Sequence, residues 1–403
     1  MHKSFKFAGS EGEQQMLKIA EINDFSHFLD LKSEWNEVLR RSKDDSIFLT
    51  WEWLYTYWKY FGKERKLRIL LVEDKNKIIA IAPLRQQRVN FGSQIIQTMA
   101  EPMGDRSLRA ASAIGYNVIE PMGYRSTDYT GLILTEREAE CLVMLFNYLT
   151  ENDDWDFIYL FDIPGTSMIP EAISRISEFI PAIEIAKGLM CPYISLPNSV
   201  EGFTQGLEGR FRKDLRRNLR NLKKNYQRVI LKGYDEFGSV EEAMNIFFDL
   251  HQERWKSKNM PGVFNSQKVR DWYLEWARQF ANKGWLALHF LTANDEPIAA
   301  HLAFEYKGVI HSGLTGLNSD FYGYGVGNLL TQHIIENCIR KGIKEFDFMK
   351  GSEPYKFKWD ATYRRNTNIR IMNRKTASLL YDIGIKAIKK MKIERILGKL
   401  HKI

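Results

Sequence analysis

Three glycines at alternate positions, Gly323, Gly325 and Gly327, precede an apolar-periodic stretch that predicts a helix over Asn328–Lys341. Glycine tolerates positive φ and close backbone approach. The first amides of a helix lack intrahelical partners and carry the positive end of its dipole. Together these make a cradle for a phosphate or pyrophosphate, with Tyr322, Val326 and Asn328 beside the glycines. A dinucleotide fingerprint needs an acidic residue about 20 residues further on. Asp347 meets that spacing, but the loop follows a run of antiparallel hairpins rather than a first strand. No Gly-Lys-Ser/Thr follows, so the loop is not a Walker motif. A plain glycine-rich turn is the alternative.

Other residues could move protons or hold a substrate. An imidazole titrating near neutrality suits proton removal, which singles out His251. His251 and Arg254 stand at i, i+3 of one helical pattern and can share a cleft with Trp255. A histidine of core or surface is the competing reading. Asp347 sits between Phe346 and Phe348 in an apolar strand, where a carboxylate is either paired or catalytic. Lys350, Lys356 and Lys358 are its nearest cations in sequence. His301 and His311 alternate with apolar residues and read as strand positions facing their neighbours.

Positioning these groups requires a large α/β (α+β) scaffold. The 403 residues suggest two or three domains with sizeable cores. In the second half, a hairpin (Gly284–Thr292, Ile298–Tyr306) leads into a central strand (Val309–Leu317), then the glycine turn, the helix and a strand (Lys344–Met349). Helices over Ser239–Lys256 and Ser266–Asn282 precede them, after a basic helix over Arg210–Tyr226 and a strand over Val229–Tyr234. The first half reads similarly: helices after Asp24 and Thr50, a hairpin (Leu67–Glu73, Ile78–Leu84), a strand (Tyr129–Leu134), a helix (Glu136–Leu149), a strand (Asp156–Phe161) and a helix (Ser167–Phe179). Residues 1–16 read as a loose lead. The likeness of the halves predicts a tandem repeat in which only the second copy keeps the glycine cradle. The expected division is 17–190, 191–375 and a basic amphipathic C-terminal helix over 376–403.

The net charge of +8 is unevenly spread. Arg210–Arg228 alone carries +8 and Lys386–Lys402 another +6, leaving the remainder near −6. Such blocks contact something anionic or form a solvated face. The C-terminal block has the apolar and basic faces of a helix lying on anionic lipid, or of one docked on its own domain. Cys141, Cys191 and Cys338 have no metal-ligand or redox spacing, and the eight histidines form no zinc-type cluster. With no signal core and no apolar run of membrane-spanning length, the expected location is the cytoplasm, or the inner membrane face as a peripheral protein. No metal is expected.

The order of meander, glycine-rich loop, helix and strand resembles the GNAT acyltransferase fold, and Tyr322-Gly323-Tyr324-Gly325-Val326-Gly327 occupies the frame of its cofactor loop. Gly325 and Gly327 match; Tyr322 replaces the usual Gln or Arg, removing one phosphate contact. A wider pattern resembles tandem-GNAT proteins associated with cellulose and exopolysaccharide synthesis. It comprises Phe48–Trp53, Ile79–Leu84, Thr127-Asp128-Tyr129, Leu250–Trp255, Pro297–Ala300 and Asp347–Lys356. Distantly, the chain resembles the Fem-type ligases, which transfer amino acids from aminoacyl-tRNA and whose second domain also opens with a basic helix.

The resemblance implies two GNAT-like domains, each a mixed, mainly antiparallel sheet flanked by helices, the first degenerate. It implies acyl-CoA as co-substrate and direct attack by the acceptor. The oxyanion would meet backbone amides near Gly313 and Thr315, on a strand that splays there, helped by Gly316. Tyr355 could protonate the departing thiolate, or simply pack. Glu353, Lys356 and Lys350 would line the acceptor side with Arg254 and Trp255, and Asp128-Tyr129 could face the cleft or form a local turn. The base would be His251 or Asp347. The implied acceptor is an amine or hydroxyl of an envelope precursor, as a small molecule or lipid-linked: a sugar, a polysaccharide or a lipid such as a sphingoid base. Two alternatives stand beside this: a Fem-like ligase using aminoacyl-tRNA, the one case in which nucleic acid is a partner, and a non-catalytic subunit of polysaccharide biosynthesis.

Overall fold

A computed structural model describes residues 3–5, 17–90, 115–152, 154–175 and 183–373. In chain order these form β1 (Lys3–Phe5), β2 (Leu17–Ile22), α1 (Phe25–Asp30), α2 (Lys32–Arg41), α3 (Trp51–Phe61), β3 (Lys66–Asp74), β4 (Lys77–Asn90), β5 (Gly115–Pro121) and β6 (Ile133–Leu134). There follow α4 (Glu138–Glu151), β7 (Phe157–Ile163), α5 (Ile169–Arg175), β8 (Ile183–Ser195), α6 (Val200–Gly206), α7 (Gly209–Asn225) and β9 (Val229–Gly233). The remainder is α8 (Val240–Lys256), α9 (Gln267–Lys283), β10 (Leu286–Ala293), β11 (Glu296–Tyr306), β12 (Val309–Leu317), α10 (Val326–Arg340), β13 (Glu345–Asp347), α11 (Pro354–Phe357) and β14 (Thr362–Met372). The basic C-terminal segment expected to be helical lies outside the described residues.

The chain divides into two compact units. One comprises Met1–Asp45, Phe61–Gly188 and Thr367–Ile403; the other comprises Ser46–Tyr60 and Leu189–Asn366. In the first, the strands run β1-β2-β3-β4-β5-β7-β14, with β6 on β4. All neighbours are antiparallel except β5 and β7, where Val118 lies opposite Phe157. The β3–β4 hairpin closes through Lys75 and Asn76, at φ 50° and 60°. Two successive left-handed residues make the turn that matches strand twist. Cys141, Leu142, Leu145 and Leu149 of α4 bury against Leu70, Val72, Ile158 and Leu160.

Two expectations change here. Lys3–Phe5 is not a loose lead but pairs with β2, Lys3 opposite Ile19. The strand before α4 is reduced to Ile133–Leu134: ahead of it the chain turns, with Thr127 Oγ1 donating to the Tyr129 carbonyl at 2.9 Å, and Thr130 N donates to the backbone carbonyl of Asp162 at 2.9 Å. The parallel partner of β7 is instead β5.

In the second unit the order is β8-β13-β12-β11-β10-β9, again antiparallel apart from one pair, β12 with β13, Val309 opposite Glu345. The connection from β12 through α10 to β13 has the same plan as β5 through α4 to β7. The repeat is thus a parallel crossover set into an antiparallel sheet, once per unit. Leu329, Leu330, Ile334 and Ile335 of α10 share a core with Phe211, Leu215 and Leu222 of α7 and with Phe346. The Ser46–Tyr60 segment belongs to this unit. Trp53 of α3 lies 5.7 Å from Trp272, 5.9 Å from Trp276 and 5.7 Å from Phe304, ring centre to ring centre. The aromatic crowding of α3 therefore serves the second unit's core. Among the described residues, no helix is long and apolar enough to cross a membrane.

Candidate active site

Strand β12 is where the sheet opens. Leu302 pairs with Leu314 while Ala303 pairs with Ser312, which leaves Gly313 as an extra residue in a bulge. A Cβ there would lie 2.7 Å from the Leu302 carbonyl oxygen, so the bulge needs glycine. The parallel ladder with β13 covers Val309–His311 and ends opposite Asp347. Past that point the two strands part.

Helix α8 lies against β12 beyond the bulge. Its N-terminus is capped by Ser239, whose hydroxyl accepts from Glu242 N at 3.1 Å. Its backbone comes so close that a Cβ on Gly316 would meet His251 N at 2.6 Å and Leu250 Cβ at 2.8 Å. This approach brings the last turns of α8 to the strand: Arg254 Nη1 donates to the Thr315 carbonyl at 2.9 Å.

The loop after β12 is a 3-10 turn, Ser319–Tyr324, followed by Gly325 at φ +60° and then α10. Ser319 donates to Glu253 Oε1 of α8 from both its amide (2.8 Å) and its hydroxyl (3.0 Å). Tyr322 Oη and Ser257 Oγ are 3.0 Å apart. The three alternating glycines are not equivalent. Gly325 needs its left-handed backbone, and a Cβ there would meet Asn218 Nδ2 of α7 at 2.6 Å. A Cβ on Gly323 would meet nothing, and one on Gly327 would make ordinary contact with Leu317.

Strand, helix and loop enclose a cavity of about 390 Å³. Its lining includes Gly313, Thr315, Tyr322, Gly325, Val326, Gly327 and Asn328 with His251, Arg254, Trp255 and Tyr355. Residues separated by about a hundred positions in sequence therefore converge on one site. Gly323 is adjacent in the loop but is not among the lining residues.

The titratable groups divide sharply. His251 is buried, and its Nε2 accepts from Trp255 Nε1 at 2.9 Å. Burial first, then the Arg254 charge, pulls its imidazole down to about 4. It is neutral at ordinary pH with its lone pair already occupied, so it is a wall of the cavity rather than a ready base. Tyr355 is about half exposed, and its hydroxyl is pushed up by burial and by Glu353, which keeps the phenol protonated.

Asp347 is fully buried and outside the lining. Its Oδ2 accepts from Arg364 Nη2 at 2.7 Å and lies 3.5 Å from His311 Nδ1, while Oδ1 accepts from Met349 N at 2.8 Å. The carboxylate is thus part of a buried ion pair with Arg364, a cation well beyond it in sequence. Lys356 is also buried. Its Nζ donates to the carbonyls of Met349, Lys350 and Gly351 at 3.3, 3.0 and 3.3 Å and pairs with Glu353 at 3.0 Å. It staples a loop in which Met349 and Gly351 have positive φ, and both it and Glu353 are occupied there rather than presented to a substrate. Lys350, like Glu353 and Lys356, is absent from the lining. Asp128 and Tyr129 lie in the first unit, in the Thr127 turn, with Tyr129 buried. His301 is buried with Nε2 3.0 Å from Ser312 Oγ.

Three participants escaped sequence reading: Glu253, Ser257 and Asn218. Glu253 stood inside the Leu250–Trp255 motif, but only the fold shows that it holds the loop. The basic helix α7 docks through Phe211, Leu215 and Leu222, and Asn225 Nδ2 donates to Tyr324 Oη at 2.6 Å. Arg210, Lys213, Arg216, Arg220, Lys223 and Lys224 are exposed and make no ion pair among the described residues. No group of three or more His, Cys, Asp or Glu among the described residues could hold a metal ion.

Residues 209–357, from α7 to α11, match the acetyltransferase (GNAT) domain family. Comparison with curated proteins gives no match. Among solved structures, FemX is similar over 90% of this chain and 100% of its own, at 10% identity and a TM-score of 0.59. A conserved protein of unknown function from Bacteroides thetaiotaomicron is similar over 88% of this chain and 99% of its own, at 8% identity and a TM-score of 0.52. At such identities the likeness speaks for the fold alone. The chain therefore has the fold of FemX, and residues 209–357 of its second unit match the GNAT acetyltransferase domain family.

Proposed function

We propose that the second unit transfers an acyl group from acyl-CoA to an amine or hydroxyl of a cell-envelope precursor by direct attack. One observation carries this: a single cavity joins the bulged, splayed strand β12 to the N-terminus of α10 behind a left-handed glycine. The first amides of α10 offer a site for the pyrophosphate, and the open edge of β12 past His311 offers hydrogen bonds to the pantetheine arm. The thioester carbonyl then lies near Gly313–Thr315, where strand amides can stabilise the oxyanion.

The acceptor's lone pair forms the new bond to the carbonyl carbon, and the carbon–sulfur bond breaks. Tyr355 gives its proton to the departing thiolate and, as phenolate, takes one from the acylated acceptor. The raised phenol of Tyr355 and the occupied lone pair of His251 favour this proton route over one through the imidazole. The envelope acceptor and a peripheral place on the inner membrane face rest on the family resemblance.

Titration with acetyl-CoA and with a long-chain acyl-CoA, followed by thermal stability, tests the reading. Saturation at about 100 times the Kd stabilises by about 2.7 kcal/mol. The shift is expected in the natural chain and absent in Gly325→Trp, whose indole would fill the cradle. No shift with either ligand at millimolar concentration sinks the acyl-CoA reading. The unpaired cations of α7 beside the loop, with the FemX-like fold, favour aminoacyl-tRNA as the second reading; ribonuclease-sensitive mobility of the purified chain would support it.

A further inference from the structure

We propose that Arg254 reads an anionic group, a carboxylate or a phosphate, on the acyl acceptor. The inference rests on the acyl-transfer reading above and narrows its substrate class. Three observations carry it. First, the guanidinium is held in place: Nη1 donates to the Thr315 carbonyl at 2.9 Å, which fixes the plane of the fork and leaves further N–H groups to offer. Second, it has no carboxylate partner among the described residues. The nearest acids in sequence and in the loop of Tyr355 are committed elsewhere: Glu253 to Ser319 and Glu353 to Lys356. No acid among the described residues lines the cavity, so Arg254 is the one formal charge among those lining residues while His251 is neutral. A half-buried cation without a counter-ion is costly to keep unless something anionic arrives to pair with it.

Third, its anchor is on the strand rather than on the loop. Thr315 lies two residues past the Gly313 bulge, where the reacting carbonyl would sit, whereas the pyrophosphate has its own site at the amides of α10. Arg254 shares the cavity wall with His251 and Tyr355. A planar guanidinium matches carboxylate or phosphate through paired hydrogen bonds, so the acceptor is an amine or alcohol bearing such a group near the nucleophile.

The test loads the full chain with saturating acyl-CoA and then adds inorganic phosphate, reading the thermal midpoint. A further rise is expected in the natural protein and not in Arg254→Gln, with Arg254→Lys intermediate. Matched acceptors follow: glucosamine against glucosamine 6-phosphate, and ethanolamine against phosphoethanolamine, with release of the CoA thiol as readout. A charge-assisted contact of about 1.5–3 kcal/mol predicts a preference of roughly 10- to 150-fold in kcat/KM for the anionic member. Arg254→Gln should raise the acceptor KM and erase the preference while the donor Kd, by calorimetry, stays unchanged. An equal response of Arg254→Gln and the natural chain to phosphate overturns the inference. So does a weakened donor Kd in the variant, which would assign Arg254 to the donor's phosphates. If acyl-CoA binds yet charged and neutral acceptors are used equally, acyl transfer stands and the inference falls. If acyl-CoA does not bind, both fall.

Discussion

Gly316→Ala isolates the contact on which the cavity depends. Position 316 has no positive φ, so alanine fits the backbone and the cost is steric alone. The added Cβ would lie 2.6 Å from His251 N, 2.8 Å from Leu250 Cβ and 2.9 Å from the Leu250 carbonyl carbon. Optimal separations are about 3.5–4.0 Å, so α8 must retreat by about 1 Å. Two of the three atoms are backbone, so a rotamer change cannot relieve the clash. Overpacking of this kind costs about 1–3 kcal/mol, or about 2–12 °C in Tm for a unit of this size. The retreat carries Arg254 and Trp255 with it, and a misplacement of about 1 Å can cost about 100-fold in rate. Thermal denaturation and turnover of the purified variant give both numbers. Gly323→Ala, with open space around the new methyl, is the control and should change neither. A Gly316→Ala protein as stable and as active as the natural chain would refute the close approach of α8 and β12 and, with it, the geometry of the site.

Two further outcomes follow from the buried polar groups. Burial lowers His251 and His289 to about 4 and His301 to about 3, whereas in the unfolded chain each titrates at its ordinary value near 6.5. The unfolded chain therefore binds more protons as pH falls below about 6.5, and their contribution to stability, complete above that pH, is lost until the folded imidazoles protonate too. At about pH 5 this amounts to about 2 kcal/mol per histidine, a large fraction of a domain's stability; a denaturation midpoint flat between about pH 7 and pH 5 would contradict it. Lys356→Met leaves three loop carbonyls without their donor and Glu353 without its cation, and should cost about 2–4 kcal/mol. Calorimetric unfolding checks this; unchanged stability with a raised acceptor KM would return Lys356 to the substrate.

The repeat and the glycine turn were legible in the sequence because both rest on local signals. Periodicity switches from alternating to helical at Asn328, and glycine at 325 marks a left-handed turn. What was not legible depends on long-range pairing. Asp347 announces a buried carboxylate, but its cation, Arg364, lies beyond the loop stapled by Lys356, and nearer lysines make better-looking partners in sequence. Thr50 and the aromatic run after it announce a helix, yet nothing local says that Trp53 packs with Trp272 and Trp276. The base candidate illustrates a further limit. A His251-Arg254-Trp255 helical face predicts a shared cleft, and the three do line one cavity. That the Trp255 indole occupies the imidazole's lone pair depends on rotamers, which spacing does not carry.

The same turn of α8 also explains the unusual Tyr322. Counted against the family loop, a tyrosine there is a lost phosphate contact. In the structure its hydroxyl meets Ser257 at the end of α8, one turn after Glu253 takes both donors of Ser319 and Arg254 takes the Thr315 carbonyl. Loop and strand are therefore fastened to one short piece of helix. The glycine loop cannot shift without moving strand β12, nor the strand without the loop. The tyrosine ties the loop to the scaffold. The tyrosine is thus part of what fixes the distance between the glycine loop and the β12 bulge, and Gly316, by letting α8 approach, sets that distance.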